Sequence, residues 1–340
     1  MKKIVCLILS VLIACSFWEI YLHTSGYSLW IRTEPGKYPN QAPEGVWYEQ
    51  NSKFGWVYNR KNNDKNSTGI FYQANRDGFR DSSWDSFNPF DHQTKKILVF
   101  GDSQAAGYGV REEDRFSNVL GSLFGDGYRI YNFAVAGWGF DQMYLAFQEF
   151  VPIVKPNIVV VVYINNDLLR SLESYKPLEK VNKPSFEVVN NELKLRQQDN
   201  RETFGEWVVG HIYLVNFFYK VFVKPYLARE LNKKIAEAMV EIAKERNIKI
   251  FFIRIPPKDA VKPPSDLDDH LIRFERNLYN WTYGIKSHVK RLGATFVPVR
   301  DIMREKMSNG SVSLYLPNDS HLNPQGHRLV AEVLFREIQK

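Results

Sequence analysis

Cysteine is almost absent from this chain of 340 residues. Its two cysteines, Cys6 and Cys15, lie in an apolar stretch near the N-terminus, and no cysteine follows them. The rest of the chain can therefore form neither a disulfide bond nor a cysteine-ligated zinc site.

The sequence also lacks the charge pattern of a nucleic-acid-binding protein. Its formal net charge is +7, but lysine and arginine are scattered, and neither a long basic run nor a known nucleic-acid motif is present. We expect a mildly basic surface and no nucleic-acid partner, with affinity for anionic polymers or membranes as the alternative.

Several common site motifs are missing as well. The chain contains no Gly-x-Ser-x-Gly elbow, no His-Glu-x-x-His zinc motif, no Gly-x-x-x-x-Gly-Lys phosphate loop and no Cys-x-x-Cys pair. We therefore expect no metal and no cofactor, so any chemistry must come from other side chains.

The first residues form a charged and then apolar leader. Lys2 and Lys3 precede an apolar run that continues, interrupted by Glu19, to Leu22. As a helix rising ~1.5 Å per residue, residues 4–22 would extend about 28 Å, close to the hydrocarbon thickness of a bilayer. With the lysines inside, the remainder of the chain faces outward, so we predict an exported, extracytoplasmic domain.

Three interpretations of residues 1–26 are open. An uncleaved membrane anchor is favoured by Trp18 and Tyr21, which suit a membrane interface. Residues 14–16 (Ala-Cys-Ser) provide small residues for cleavage as a signal peptide, and residues 12–15 resemble a lipoprotein signal. All three export the domain, and the first predicts a tether formed by an N-terminal membrane-spanning helix.

Composition and pattern divide the remaining chain. A hydrophobic content of 44%, with 14% aromatic residues, is enough to bury a sizeable core. Residues 27–94 are rich in Pro, Gly, Asn, Tyr and Trp and show little periodicity, so we expect a linker and an irregular N-terminal subdomain. Residues 95–340 form the main domain, in which an insertion over residues 168–226 is interpreted as a lid or cap beside the site.

Residues 95–340 otherwise alternate strand-like and helix-like segments. Continuous apolar runs indicate a parallel sheet covered on both faces, and the alternation indicates a doubly wound, three-layer α/β sandwich of the flavodoxin-like type with a mostly parallel five-stranded sheet. Asn190-Asn191 predicts a hairpin between residues 185–189 and 192–195. The predicted strands are Ile97–Phe100, Ile130–Val135, Ile158–Ile164, Ile248–Ile255 and Thr295–Val299. The predicted helices are Asp114–Leu123, Asp141–Val154, Ala228–Arg246, Asp266–Leu292 and Pro324–Ile338.

The strongest chemical signal is a serine directly after a predicted strand. Residues 101–103 (Gly-Asp-Ser) place the Ser103 hydroxyl at the carboxyl edge of the sheet, where open α/β folds build their sites. Asp319 and His321 lie just before the last predicted helix. A serine, a histidine and a carboxylate are the nucleophile, base and orienting group of acyl transfer. The alternative role for Ser103 is to cap a helix.

Two further blocks follow predicted strands. Residues 132–139 (Asn-Phe-Ala-Val-Ala-Gly-Trp-Gly) end the second strand, and residues 163–167 (Tyr-Ile-Asn-Asn-Asp) end the third. With Gly-Asp-Ser and the C-terminal Asp-x-His, these blocks resemble, in this order, the SGNH/GDSL hydrolase superfamily. The resemblance covers about residues 95–340 and implies the SGNH-hydrolase form of the α/β fold.

The resemblance implies a role for each matching residue. Ser103 matches the nucleophile, His321 the general base and Asp319 the residue that orients the base. The oxyanion hole would consist of the backbone N–H groups of Ser103 and Gly137 and the side-chain amide of Asn166, whose alternative role is to cap a helix.

Some positions depart from the common family pattern or allow two interpretations. Many members carry the carboxylate three residues before the histidine, where this chain has Asn318, and Asp301 is the next candidate for an orienting carboxylate. Asn165 stands where many members have a glycine. Trp138 is either a core residue or a platform for stacking sugars, and Arg80 either binds an anionic substrate or forms a structural salt bridge.

The resemblance implies a serine-dependent esterase that works through an acyl-enzyme. The apolar leader, the block Asn75–Arg80 and the Gly-Asp-Ser strand are together similar to membrane-tethered bacterial members. This similarity implies an acylated envelope carbohydrate, or another small ester, as the substrate, and O-acyl transfer remains open beside hydrolysis. A non-catalytic scaffold or polymer-binding module of the envelope is the alternative function.

Overall fold

A parallel sheet of five strands forms the centre of the protein. The computed structural model describes residues 2–26, 47–61, 69–70, 72–82, 94–173, 175–176, 181–196, 204–261, 284–308 and 313–340. The strands in these ranges are β1 (Tyr48–Asn51), β2 (Gly55–Tyr58), β3 (Lys95–Gly101), β4 (Tyr128–Asn132), β5 (Ile158–Tyr163), β6 (Tyr175–Lys176), β7 (Val181–Asn182), β8 (Phe186–Val189), β9 (Glu192–Leu195), β10 (Lys249–Arg254) and β11 (Thr295–Val297).

The order of the central sheet is β11-β10-β5-β3-β4, and all its pairings are parallel. Every residue of β5 is buried, as expected for a strand in a sheet with helices on both faces. The predicted three-layer α/β fold with a five-stranded parallel sheet is confirmed. Because β3 lies between β5 and β4, the carboxyl ends of these three strands meet at one edge.

Helices flank the sheet and join its strands. Helix α3 packs against α11 and β4, while α4 packs against α8 and β3. The helices are α1 (Lys2–Thr24), α2 (Ser103–Ala106), α3 (Phe116–Phe124), α4 (Phe140–Val154), α5 (Asn165–Arg170), α6 (Phe204–His211), α7 (Tyr213–Phe218), α8 (Lys224–Glu245), α9 (Lys286–Arg291), α10 (Val299–Ser308) and α11 (Pro324–Gln339).

Several element boundaries differ from the sequence prediction for local reasons. Strand β4 ends at Asn132, because its side-chain oxygen accepts the N–H of Ala134 at 2.9 Å in a local turn. Strand β11 ends before Pro298, which has no N–H to donate. Helix α8 begins before the predicted Ala228, with Pro225 in its first turn.

Other differences concern the helices, since α6, α7 and α10 are absent from the sequence prediction. Helices α2 and α5 are too short to show a helical periodicity in the sequence, and both were missed. The predicted helix Asp266–Leu292 is described only in its last part, as α9. Its residues 266–283 lie outside the described residues.

The segment expected to be irregular contains an antiparallel hairpin, β1–β2, that is joined to the main domain. The indole N–H of Trp56 donates to the Ala136 carbonyl at 3.2 Å, and the indole N–H of Trp138 donates to the Trp56 carbonyl at 2.9 Å. The Tyr58 hydroxyl also accepts the N–H of Ala136, at 3.0 Å. The hairpin therefore braces the loop that follows β4.

The insertion contains the predicted hairpin. Strands β8 and β9 pair across Asn190 and Asn191, whose φ angles of 53° and 66° are the left-handed values that such a turn needs. The ammonium group of Lys183, which is buried, forms an ion pair with the buried carboxylate of Asp141 at the start of α4. This pair attaches the insertion to the helix that follows the β4 loop, and a role as lid or cap stays a prediction.

The leader forms one long helix, α1, that contacts α7. The carboxylate of Glu19 accepts the N–H groups of Tyr213 and Leu214, each at 2.7 Å, and so caps the start of α7. Among the described residues, no helix combines the length and the apolarity needed to cross a membrane. Glu19, which interrupts the apolar run, bonds within the protein.

His327 on α11 is fully buried. Its ring stacks on Phe116 and its Nδ1 atom accepts the Phe116 N–H at 3.3 Å. Burial, followed by the charges of Arg115 and Arg80, lowers the pKa of His327 to about 3.

This burial predicts an acid-dependent loss of stability. An unfolded histidine has a pKa near ~6.5, so between that value and about 3 the unfolded chain binds a proton that folded His327 does not. The free energy of unfolding should therefore fall as the pH drops below ~6.5, and His327→Gln should reduce this fall. Urea unfolding of the wild type and of His327→Gln at pH 7 and pH 4.5 measures this change in the free energy of unfolding.

The matched control is His211→Gln, because His211 is exposed. This control should keep the pH dependence of the wild type. The interpretation is wrong if His327→Gln and the wild type lose the same free energy of unfolding between the two pH values.

Candidate active site

The candidate nucleophile lies in a tight turn between β3 and α2. Asp102 is the N-cap of α2, and its Oδ1 atom accepts the Gln104 N–H at 2.9 Å. Ser103 is thus the first residue of the helix and not its cap. A Cβ atom on Gly101 would lie 2.5 Å from Ala105 Cβ and 2.8 Å from the Val162 carbonyl oxygen, so only glycine fits here.

The structure brings Ser103, His321 and Asp319 together in one hydrogen-bonded chain. His321 Nε2 lies 2.7 Å from Ser103 Oγ, and His321 Nδ1 lies 2.6 Å from Asp319 Oδ1. The same carboxylate oxygen accepts the His321 backbone N–H at 3.0 Å. The partner of the imidazole is therefore Asp319, and neither Asn318 nor Asp301 takes this place.

The charge of Asp319 is stabilised by the histidine that it contacts. Partial burial by itself would raise the pKa of this carboxyl group. The hydrogen bonds from His321, together with the charge on its ring, outweigh that effect, and the pKa of Asp319 lies below its ordinary value. An ionised carboxylate at this position favours the imidazole tautomer that carries its proton on Nδ1 and presents Nε2 to Ser103.

Gln104 holds the histidine loop against the nucleophile helix. Its side-chain amide donates to the Ser320 carbonyl at 3.0 Å, and its side-chain oxygen accepts the Leu322 N–H at 3.1 Å. These peptide groups lie on either side of His321, so one buried side chain fixes the backbone of the candidate base. Sequence reasoning missed Gln104, because a glutamine in a helix has no distinctive pattern.

The candidate oxyanion donors lie on both sides of Ser103. Gly137 follows β4 and Asn166 follows β5, and these are the two strands that pair with β3. The chain after β4 stays beside β3, since the Val135 N–H donates to the Gly101 carbonyl at 3.2 Å. Gly137 has a φ of 81°, a left-handed conformation that glycine adopts readily.

The two consecutive asparagines differ in their surroundings. The side chain of Asn165 is buried, and its amide has no hydrogen-bond partner among the described residues. Asn166 is exposed. Of the two, Asn166 is the one with an exposed side chain, and its role as an oxyanion donor stays a prediction.

A buried ionic cluster lies beneath these loops. The guanidinium group of Arg170 bonds to the Asp167 carboxylate and lies 3.8 Å from Asp102 Oδ2. Both carboxyl groups are fully buried. Burial raises the pKa of Asp102, and burial together with the Asp102 charge raises the pKa of Asp167 well above its ordinary value, while Arg170 opposes both shifts.

Two residues with open interpretations are structural. Trp138 is fully buried, so it belongs to the core and is not a sugar-stacking platform. Arg80 is buried as well, and its guanidinium group donates to the carbonyls of Ala106, Gly107 and Val110 at 3.0, 2.6 and 2.8 Å. It braces the turn after α2 and does not face a substrate.

Within the described ranges, no group of three or more His, Cys, Asp or Glu side chains is arranged to hold a metal ion. The chemistry available to the described residues is that of a hydroxyl, an imidazole and a carboxylate in series, with amide donors on either side.

The sequence profile of the GDSL-like lipase/acylhydrolase family matches residues 99–329, which is more than half of the chain. A search of curated proteins found no match.

Three crystal structures illustrate the matches to solved structures. A structure of TesA is 14% identical, covers 72% of this chain and 98% of its own, and has a TM-score of 0.43. The acetyl xylan esterase AlAXEase is 16% identical, with coverages of 72% and 99% and a TM-score of 0.42. A catalytic mutant of Axe2, an acetylxylan esterase from Geobacillus stearothermophilus, is 16% identical, with coverages of 72% and 94% and a TM-score of 0.44.

The contact between Asp319 and His321 predicts unequal effects at two neighbouring positions. Asp319→Asn should keep the packing, but its amide donates to Nδ1 and so favours the tautomer whose Nε2 cannot accept a proton. Turnover should therefore fall by up to ~10⁴-fold. Asn318→Ala should change kcat little, because an amide supplies no charge. Turnover of p-nitrophenyl acetate, with thermal unfolding as the control for folding, measures both. Near-equal losses would mean that another group orients His321.

Proposed function

Because the chain belongs to the GDSL-like lipase/acylhydrolase family, we propose that it is a serine-dependent esterase in which Ser103 is the nucleophile. The observation that carries this proposal is the hydrogen-bonded series from Ser103 Oγ through His321 to Asp319, with distances of 2.7 and 2.6 Å. A scaffold or polymer-binding module has no need for these three groups in this order.

The proposed reaction begins when His321 Nε2 takes the Ser103 proton and Ser103 Oγ attacks the ester carbonyl carbon. The resulting oxyanion accepts hydrogen bonds from the backbone N–H groups of Ser103 and Gly137 and from the amide of Asn166. The tetrahedral intermediate then expels the alcohol, which receives the proton from His321, and leaves an acyl group on Ser103. Asp319 stabilises the imidazolium throughout.

The second half of the reaction repeats these steps with a new nucleophile. His321 removes a proton from water or from a sugar hydroxyl, whose oxygen attacks the acyl carbon and releases Ser103. Hydrolysis and O-acyl transfer thus share one acyl-enzyme, and they differ only in the acceptor that reaches it. We propose small acyl groups on envelope carbohydrate as the substrate class, on the basis of the family resemblance of the leader, the block Asn75–Arg80 and the Gly-Asp-Ser strand.

The proposal predicts that Ser103→Ala abolishes covalent labelling by a fluorophosphonate and lowers p-nitrophenyl acetate turnover by at least ~10³-fold. His321→Ala should cause a similar loss, and the double variant should be no worse than either single variant, because the two residues act as a unit. Labelling, steady-state kinetics and circular dichroism of the purified protein test this.

The matched control is Ser122→Ala, since Ser122 is an exposed serine on α3. It should retain both labelling and turnover. Unchanged turnover by folded Ser103→Ala would end the proposal, and a folded wild-type protein that is neither labelled nor active would favour the non-catalytic module.

We also propose that the protein acts outside the cytoplasm, on the basis of the two lysines and the apolar run of the leader. Alkaline phosphatase needs an oxidising compartment for its disulfides. Fused to the C-terminus of the full chain in bacterial cells, it should therefore be active, and deletion of residues 2–24 should abolish this activity. A β-galactosidase fusion should respond in the opposite way. Phosphatase activity that survives the deletion would contradict export by the leader.

A further inference from the structure

One arginine contacts all three loops at the carboxyl edge of the sheet. Arg170, at the end of α5, bonds to the Asp167 carboxylate and donates to the Trp138 carbonyl at 3.4 Å. It also lies 3.8 Å from Asp102 Oδ2. These three partners belong to the segments that follow β5, β4 and β3, respectively.

Each partner of Arg170 is the direct chain neighbour of a group in the proposed mechanism. Asp102 precedes Ser103, Trp138 follows Gly137, and Asp167 follows Asn166. A shift of any of these partners therefore moves a hydrogen-bond donor of the oxyanion hole.

The two carboxylates also hold the backbone of their own loops. Asp102 Oδ1 accepts the N–H of Gln104 at 2.9 Å, and Asp167 Oδ2 accepts the N–H of Ile164 at 2.8 Å. Both bonds are strongest when the carboxylates are ionised, because a charged acceptor binds an N–H group more tightly than a neutral one.

We propose that Arg170 is a positioning residue that holds the Ser103, Gly137 and Asn166 segments at the spacing that the oxyanion requires. This inference rests on the proposed function. Arg170 does not touch the reacting atoms; it acts through Asp102, Trp138 and Asp167.

The positive charge of Arg170 helps to keep the two neighbouring carboxyl groups ionised. Asp102 and Asp167 are both fully buried and repel each other, and the cation between them opposes the uptake of a proton by either one. The other charged group that acts on Asp102 is His321, and its charge also favours the ionised carboxylate. Loss of Arg170 would remove the cation that opposes protonation of these carboxyl groups, and a neutral carboxyl group would bind the loop N–H less tightly.

The planar guanidinium group suits this place better than an ammonium group. All three contacts are made by its terminal Nη1 atom, which lies farther from the backbone than a lysine ammonium group can reach. Arg170→Lys should therefore retain a charge near Asp167 but lose the link to the Trp138 carbonyl, and should fall between the wild type and Arg170→Met in activity.

The test compares Arg170→Met and Arg170→Lys with Arg328→Met, which makes the same change at an exposed position of α11. Arg170→Met should lower kcat for p-nitrophenyl acetate by about 10²-fold, the effect of a small misplacement of catalytic groups, while KM changes less than about twofold. The affinity for phenylboronic acid, which forms a tetrahedral adduct with a serine, should fall in parallel with kcat.

Hydrogen exchange provides a readout that does not depend on activity. In Arg170→Met, amide exchange should become faster in residues 102–107, 135–139 and 164–168 and remain unchanged in the central strands. The control Arg328→Met should match the wild type in kinetics, boronate affinity and exchange.

Three results would overturn the inference: unchanged kcat, equal losses in substrate and boronate affinity, or exchange that is unchanged or faster throughout the protein. A wild-type protein with neither turnover nor fluorophosphonate labelling would instead refute the proposed function. In that case the exchange pattern alone decides whether Arg170 holds the three segments.

Discussion

The parallel pairing of β3 with β5 on one side and β4 on the other is the constraint on which the rest of the structure depends. It brings the ends of three strands to one edge, and each end continues into a short loop that carries a candidate catalytic group. Gly101 allows the turn after β3 to lie close to α2 and to β5, because any side chain at this position would collide with Ala105 and with the backbone of β5. The separation between the serine and the candidate oxyanion donors is thus set first by the spacing of paired strands, and only then by side chains.

Two different kinds of contact refine that arrangement. On the side of the base, the neutral amide of Gln104 bonds to the peptide groups around His321, so the position of the imidazole does not depend on a further buried charge. On the side of the oxyanion donors, a guanidinium group lies between two buried carboxylates. Neutral hydrogen bonds tolerate changes of pH, whereas a buried ionic cluster costs free energy to desolvate and needs all of its members. The two halves of the site should therefore differ in how they respond to substitution.

The central sheet could be predicted from the sequence, because runs such as residues 158–162 are apolar at every position and the segments between them are long enough for helices. The hydrogen-bonded series of Ser103, His321 and Asp319 could also be predicted, since each residue lies beside a recognisable strand end or helix start. The contacts of Gln104 and Arg170 could not be predicted from the sequence. They join residues far apart in the chain, and polar side chains of these types are ordinary in any helix. The burial of Trp138 was undecidable from the sequence, as its partner Trp56 lies in a segment without periodicity.

The Trp138 indole donates to the Trp56 carbonyl and the Trp56 indole donates to the Ala136 carbonyl, and these two bonds have a consequence for where the folding unit begins. Trp56 and Trp138 are both fully buried, and each satisfies a polar group that has left water in the other's segment. Cutting the chain just before β3 would remove Trp56 together with both of these hydrogen bonds. It would also expose the aromatic side chains that pack against the loop containing Gly137. The smallest autonomous fragment of this protein therefore has to include the hairpin of residues 48–58, even though the family match starts only at residue 99.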